Sequence, residues 1–296
     1  MLRFCRYGLP VSLLSLACSP LALAEEAAGA HELGQITVSA TRAHSTVDET
    51  PQKVLIISRE EIEEQLAISN DPGQVLSNLI PSYSPSRQKL SNAGESFRGR
   101  SPLFMIDGVP QSNPLRDSAR DSYTIDLSMV ERIEVIYGAS AEHGLGATGG
   151  IINYITRRAD TGTINQEASV SLTSDDDFDS DGQGHKVDYS ISGQKGDWDY
   201  LGAISQQKRG VFYDGDDQLV GIAYPGELQN STSYDVMGRV GYWIDDNQNI
   251  ELMLNHFELE GEGDYVPVPG DRDEGIPTRA RPGDPCLLYT SPSPRD

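Results

Sequence analysis

Few of the features that mark common function classes are present. Beyond the N-terminus there is no apolar run of about 18 residues, the length a membrane-crossing helix needs. Basic charge is short: 23 Lys and Arg stand against 45 Asp and Glu, a formal net charge of −22. Gripping a phosphate backbone takes a basic face, so nucleic acid is excluded as a partner. Cysteine is almost missing. Of three cysteines, Cys5 and Cys18 precede Glu25 and only Cys286 follows it, which leaves no internal disulfide once a leader is removed. Hydrophobic residues are 37% of the chain, low for a globular enzyme, and no convergent Ser/His/Asp or metal-ligand constellation stands out. At 296 residues the length suits roughly two domains.

What is present begins with a leader. Met1–Ala24 has a basic start (Arg3, Arg6), an apolar centre (Val11–Ala17) and Ala22-Leu23-Ala24 before Glu25, the pattern of a secretory signal peptide with its cut site. Ser15-Leu16-Ala17 before Cys18 fits lipoprotein processing poorly. Residues 25–50 are small, polar and Ala-rich, with little to bury, and read as a flexible segment. Within them QITVSATR (35–42) alternates β-formers. That pattern suits a segment that adds a strand to another protein's sheet edge, and equally an ordinary first strand.

The next stretch is organised around Phe97–Arg158. Leu103–Ile106, Ile133–Ile136 and Ile151–Ile155 are short β-rich runs bounded by turn residues, so a compact mixed sheet is expected. Val54–Ile57 is a fourth strand. Ser58 with Glu61 forms a capping box that opens a helix to about Leu66. Asp71-Pro72 opens a second helix, with Val75, Leu76, Leu79 and Ile80 on one face and Pro81 as its stop. Two polar stretches, Tyr83–Glu95 and Gln111–Tyr123, read as loops between core elements.

SFRGR, LFMIDGVP and ERIEVIYGASAEHGLGATGGIINYITR, in this order and spacing, resemble the plug domain of TonB-dependent outer-membrane receptors. The resemblance covers Gln35–Arg158 closely and Thr163 to about Arg281 more loosely. It marks Arg98, Gly99, Arg100, Asp107, Gly108, Glu131, Arg132, Glu134, Gly138, Gly146, Gly149 and Gly150 as plug signature positions. It implies that Ile36, Thr37, Val38, Ser39 and Ala40 belong to a TonB box (36–42), which takes energy from TonB and its inner-membrane energising complex. Arg98 and Arg100 are expected in the plug core or against acidic residues of a barrel wall. The two polar loops are expected toward the outer mouth, with Arg87, Gln111 and Arg116 as candidate ligand contacts beside Arg120. An arginine fork suits an anionic ligand, though ordinary exposed loop residues would look the same. The implied cargo is a ferric siderophore, with cobalamin or haem as alternatives. The absence of a paired His motif among His143, His185 and His256 disfavours haem. The resemblance implies no catalytic residue, no metal site and no resident cofactor, iron being carried only as cargo. The implied setting is the outer membrane of a Gram-negative bacterium, with its lipid as a further partner.

After Thr161 the pattern changes to period two. Val187, Tyr189 and Ile191 alternate with polar residues; so do Tyr234, Val236, Gly238, Val240, Tyr242 and Ile244, and then Ile250, Leu252 and Leu254. Alternating segments of about ten residues are the mark of transmembrane β-strands, which hydropathy alone misses. Strands are expected over 167–172, 187–194, 198–206, 233–244 and 249–259. Short turns (Lys195–Asp197, Asp245–Gln248) alternate with long loops (Thr173–Gly184, Lys208–Thr232), as periplasmic turns alternate with extracellular loops. The expected fold class is an α+β plug domain, a small mixed sheet with short helices, followed by antiparallel β-strands of an incomplete transmembrane β-barrel. The expected segments are 1–24, 25–50, 51–160, 161–285, and a tail, 286–296, that fits no strand. Such receptors close with about 22 strands, so an N-terminal fragment is expected, since an open edge is not viable in lipid.

Two near-motifs carry less weight. Gly144-x-Gly146-x-x-Gly149 matches the dinucleotide fingerprint, but a β-rich run follows it where a helix should open. Asp177-x-Asp179-x-Asp181-Gly182 with Asp188 resembles a calcium loop, but it lacks the final Glu and the flanking helices, so a solvated acidic loop is expected. The rival from another class is a soluble β-rich binding protein without a barrel. In that protein the face bearing Tyr234, Val236 and Val240 would be covered.

Overall fold

In a computed structural model of the chain, the described residues are 37–38, 45–46, 52–111, 120–141, 143, 146–159, 162, 164–175, 177–222, 226–245 and 248–283. The leader, most of segment 25–50 and the tail 286–296 lie outside them. Strands β1 (Thr37–Val38) and β2 (Ser45–Thr46) pair antiparallel.

The plug follows as β3 (Val54–Ile57), α1 (Arg59–Leu66), α2 (Pro72–Leu79), β4 (Leu103–Ile106), β5 (Val109–Pro110), β6 (Val130–Tyr137) and β7 (Gly150–Thr156). Helix α1 starts where the sequence places it. Ser58 and Glu61 exchange side-chain and backbone hydrogen bonds, which satisfies amides that a helix start leaves open. Asp71 caps α2, and Pro72 fills its first position, where no amide is needed. The sheet order is β3-β6-β7-β4-β5, with β4 and β7 parallel and the other pairs antiparallel. Every residue of β4 and β7 is buried, which explains why both read as continuous apolar runs. Ile62, Val75 and Leu76 from the helices pack with Ile133, Val135, Ile152 and Tyr154 in one core.

Five strands form a second sheet: β8 (Asn165–Thr173), β9 (Gly184–Lys195), β10 (Trp198–Arg209), β11 (Ser231–Asp245) and β12 (Gln248–Gly261). They meander in order, each antiparallel to the next. Their faces are inverted relative to a soluble sheet. Val236 is 54% exposed, Leu254 67% and Leu172 80%, while Arg239 on the opposite face is 2% exposed against the plug. Neither helix covers the apolar face: α1 and α2 pack on the plug core. Among the described residues that face is exposed, where the soluble rival required it to be covered.

The chain enters β8 at the end of the sheet where connections are short. Gly196 and Asp197 suffice between β9 and β10, whereas 174–183 and 210–230 span the other end. Past β12 an unexpected hairpin forms, β13 (Tyr265–Val268) with β14 (Arg279–Pro282). Pro267, Pro282, Arg279 and Arg281 break the apolar alternation there, so no strand signal was available.

Signature glycines act by space as well as torsion. A Cβ on Gly149 would lie 2.5 Å from the Phe97 carbonyl oxygen and 2.9 Å from that of Arg100. Gly99 has φ +74° but open space around it. Gly149→Ala should therefore cost at least about 3 kcal/mol of plug stability, through backbone collision. Gly99→Ala should cost only the left-handed torsion, about 1 kcal/mol. Urea unfolding followed by near-ultraviolet tyrosine dichroism separates the two, and equal costs would contradict the collision.

Candidate functional site

The plug meets the five-strand wall through polar groups. The left-handed turn at Asp107 (φ 47°) and Gly108 (φ 81°) ends β4 and aims the Asp107 carboxylate at the end of β7. That carboxylate accepts from the Thr156 amide at 3.0 Å and from its hydroxyl at 2.6 Å. Arg239, facing inward from β11, donates to it at 2.5 Å and also pairs with Glu251 of β12 at 3.0 Å.

A second contact lies at Asp126, which caps the short 3-10 turn Leu127–Met129. Lys186 of β9 reaches it at 2.7 Å. Burial pushes the Asp126 carboxyl up, but Lys186 and the Ser128 hydrogen bonds outweigh that and hold it below the usual carboxylate range. Its amide donates to Asp235 of β11 at 2.6 Å. Helix α1 is tied to the same turn, because Arg59 donates to the carbonyls of Leu127, Ser128 and Val130. A third contact pairs Arg157 with Glu167 of β8 at 2.6 Å and with the Ser190 hydroxyl at 3.2 Å. Leu201, Ala203 and Met237 fill the space between and join the plug core.

The end of the sheet with the long connections has its own organiser. Asp181, in the β8–β9 loop, accepts from Tyr213 at 2.9 Å and Tyr265 at 2.8 Å, so three successive connections meet on one carboxylate. The amide of Val211 also donates to the Asp181 carbonyl. Arg279 of β14 pairs with Asp214. Burial pushes the Asp181 carboxyl up, and the two phenols outweigh it, leaving it lowered. Asp188 does not join this loop. It lies in β9, bonded to Ser169 and paired with Lys186, so the calcium-like spacing is not assembled.

The expected site residues divide as follows. Arg98, Gly99 and Arg100 form an exposed turn closed by hydrogen bonds between Phe97 and Arg100. Arg98 takes a left-handed conformation (φ 57°), and both arginines are exposed, outside the plug core. Glu131 is exposed; Arg132 pairs at 2.7 Å with Glu134, which is fully buried and also accepts from Asn153. Gly138, Gly146 and Gly150 all have positive φ. Arg87 is exposed but spans its own loop to the Ala93 carbonyl, and Gln111 donates to Val109, so the plug itself engages both candidate contacts. Arg116 lies outside the described residues, as do Ile36, Ser39 and Ala40 of the box; Thr37 and Val38 form β1. Sequence reasoning missed Arg239, Lys186, Asp126 and Asp235, and gave Asp181 only a place in the calcium-like spacing. A charge at an inward position of an alternating strand was the available signal for Lys186, Asp235 and Arg239.

Known proteins agree with this geometry. Residues 46–151 match the TonB-dependent Receptor Plug Domain. The chain is 30% identical to the rhizobactin receptor of Rhizobium meliloti over 91% of its own length and 36% of that receptor's. It is 32% identical to the ferric aerobactin receptor of Klebsiella pneumoniae, over 77% of this chain and 31% of that one. It therefore spans about a third of the length of these two receptors. Among solved structures, the ferric enterobactin receptor of Pseudomonas aeruginosa superposes with a TM-score of 0.55 at 21% identity, covering 76% of this chain and 36% of the other.

Burial and the hydrogen bond to anionic Asp181 push the Tyr265 phenol up to about 12. A raised phenol stabilises the loops fully below its ordinary value near 10, and that contribution is lost as pH rises through about 12. Asp181→Asn should bring the tyrosinate titration of Tyr265 back toward 10, read as ultraviolet absorbance against a Tyr265→Phe control. An unmoved titration would show that Asp181 does not hold that phenol.

Proposed function

The chain belongs with the TonB-dependent receptors through its plug, and on that premise we propose that it serves uptake of a ferric siderophore across an outer membrane. The cargo is bound at the long-loop end and released at the short-turn end, where the plug chain enters the wall. TonB engages the segment around Val38 and supplies the energy through its inner-membrane complex. No bond is broken, so no catalytic group is required. One observation carries the reading: a plug is seated by polar contacts against a wall whose other face is apolar and bare. A soluble binding protein has no use for such a face.

The relatives named for rhizobactin and aerobactin favour a siderophore over cobalamin or haem as cargo. The leader at 1–24 supports export. Iron reaches the protein only within its cargo.

Val38 pairs with Ser45 in β1–β2, and a proline there removes a ladder donor. In the full-length receptor Val38→Pro should cut uptake of radio-iron-labelled siderophore by at least about tenfold while surface binding changes by less than about twofold. Equal uptake by the variant and the parent would remove the box assignment.

A further inference from the structure

Each charged wall group that grips the plug also holds a partner on the wall. Arg239 reaches Asp107 of the plug at 2.5 Å and Glu251 of β12 at 3.0 Å. Lys186 reaches Asp126 of the plug at 2.7 Å and Asp188 of its own strand at 3.6 Å. Asp235 accepts from the Asp126 amide at 2.6 Å and from Asn255 of β12 at 2.6 Å. Glu167 pairs with plug Arg157 at 2.6 Å and accepts from Asn165 of β8 at 3.0 Å.

This duplication has an energetic consequence. A buried charge stripped of its only partner is costly, commonly by several kcal/mol, and a seam built from such pairs would lock. Here the plug can leave while Arg239 and Lys186 each keep a counterion and Asp235 and Glu167 each keep an amide donor. The stand-by anion also weakens the seated state. Asp107 and Glu251 share one guanidinium, so the two carboxylates repel each other only while the plug is seated. Both effects favour release.

We propose that Glu251 is a stand-by counterion for Arg239, making the plug–wall seam releasable, with Asp188 playing the same part for Lys186. Glu251 is then a positioning residue that acts through Arg239. The proposal rests on the uptake reading above and adds to it that the plug moves within its wall. Glu251 also meets Arg158 at 3.5 Å, but Arg158 is 64% exposed, and a solvated pair of that kind contributes little.

The test uses the full-length receptor in detergent, freed of other cysteines, with Ser205→Cys as a probe. Ser205 lies on the inner face of β10 and is 5% exposed, so maleimide reaches it only when the plug shifts. At fixed urea, Asp107→Asn should speed labelling by about tenfold, because the seated pair is lost. Glu251→Gln should slow it by about threefold or more, because Arg239 then depends on Asp107 alone. A merely structural Glu251 would give the opposite sign, with labelling faster in both variants, and that result overturns the proposal. An unchanged rate in Glu251→Gln overturns it too. If that variant fails to assemble, Glu251→Ala removes the same charge and is read the same way. The assay needs neither siderophore nor TonB, so failure of the transport reading would not be mistaken for failure of this one.

Discussion

The placement of the plug depends on the buried guanidinium of Arg239. A sheet whose apolar side is exposed has only its polar side left for contact with the plug, and Arg239 is among the most buried charges there. It is 2% exposed, yet it touches Asp107 and Thr156 of the plug and Glu251 of its own wall. The rest of the turn follows from it. Asp107 presents its carboxylate from a left-handed backbone (φ 47°), a conformation that short polar side chains tolerate, and Gly108 continues it at φ 81°. Gly108 then donates to Asn153, whose side chain donates to buried Glu134, which pairs with Arg132. The signature Ile-Asp-Gly and the signature Glu-Arg-Ile-Glu are thus ends of one hydrogen-bonded chain through the plug, not separate sites.

Much of this fold was legible because its elements obey local rules. The Ser58–Glu61 box, Pro72 and the apolar runs of β4, β6 and β7 act over a few residues, and each formed where the pattern put it. The wall was legible for the same reason: a strand repeats every two residues, so Tyr234 through Ile244 declared one face. The seam was not. Alternation says that Asp235 and Arg239 face inward, but not which plug residue meets them, because Asp107 and Arg239 are separated by 132 positions. The outward turn of Arg98 was hidden for a related cause. A family motif fixes residue identity, while the direction of a side chain depends on a φ that no spacing reports.

The outer clamp shows how an acidic chain uses its charge. The loop at 174–183 reads as a solvated acidic run, and most of it is. Asp181 differs because Tyr213 and Tyr265 reach it from loops distant in sequence, and a carboxylate that accepts from phenols is stabilised without a cation. Three segments are thereby joined on one carboxylate. Joining them restricts backbone that would otherwise be free, and that conformational entropy is lost on folding.

The seam and the clamp differ in the medium around them, and this sets their roles. At the seam, Met237 lies two residues from both Asp235 and Arg239 and opposite Ala203, with Leu201 opposite Arg239 itself. Those apolar side chains join the plug core, so the flanking charges act in a region from which water is displaced. Low dielectric strengthens a pair that is made and penalises one that is broken. A contact of that kind is sensitive to small displacements, and the wall partners of Arg239, Lys186 and Asp235 limit what a displacement costs. At the clamp, Asp181 and its phenols stand near water, which screens their interaction and replaces any bond that opens. A contact at the clamp can therefore open in part, whereas at the seam a charge that loses one partner needs another.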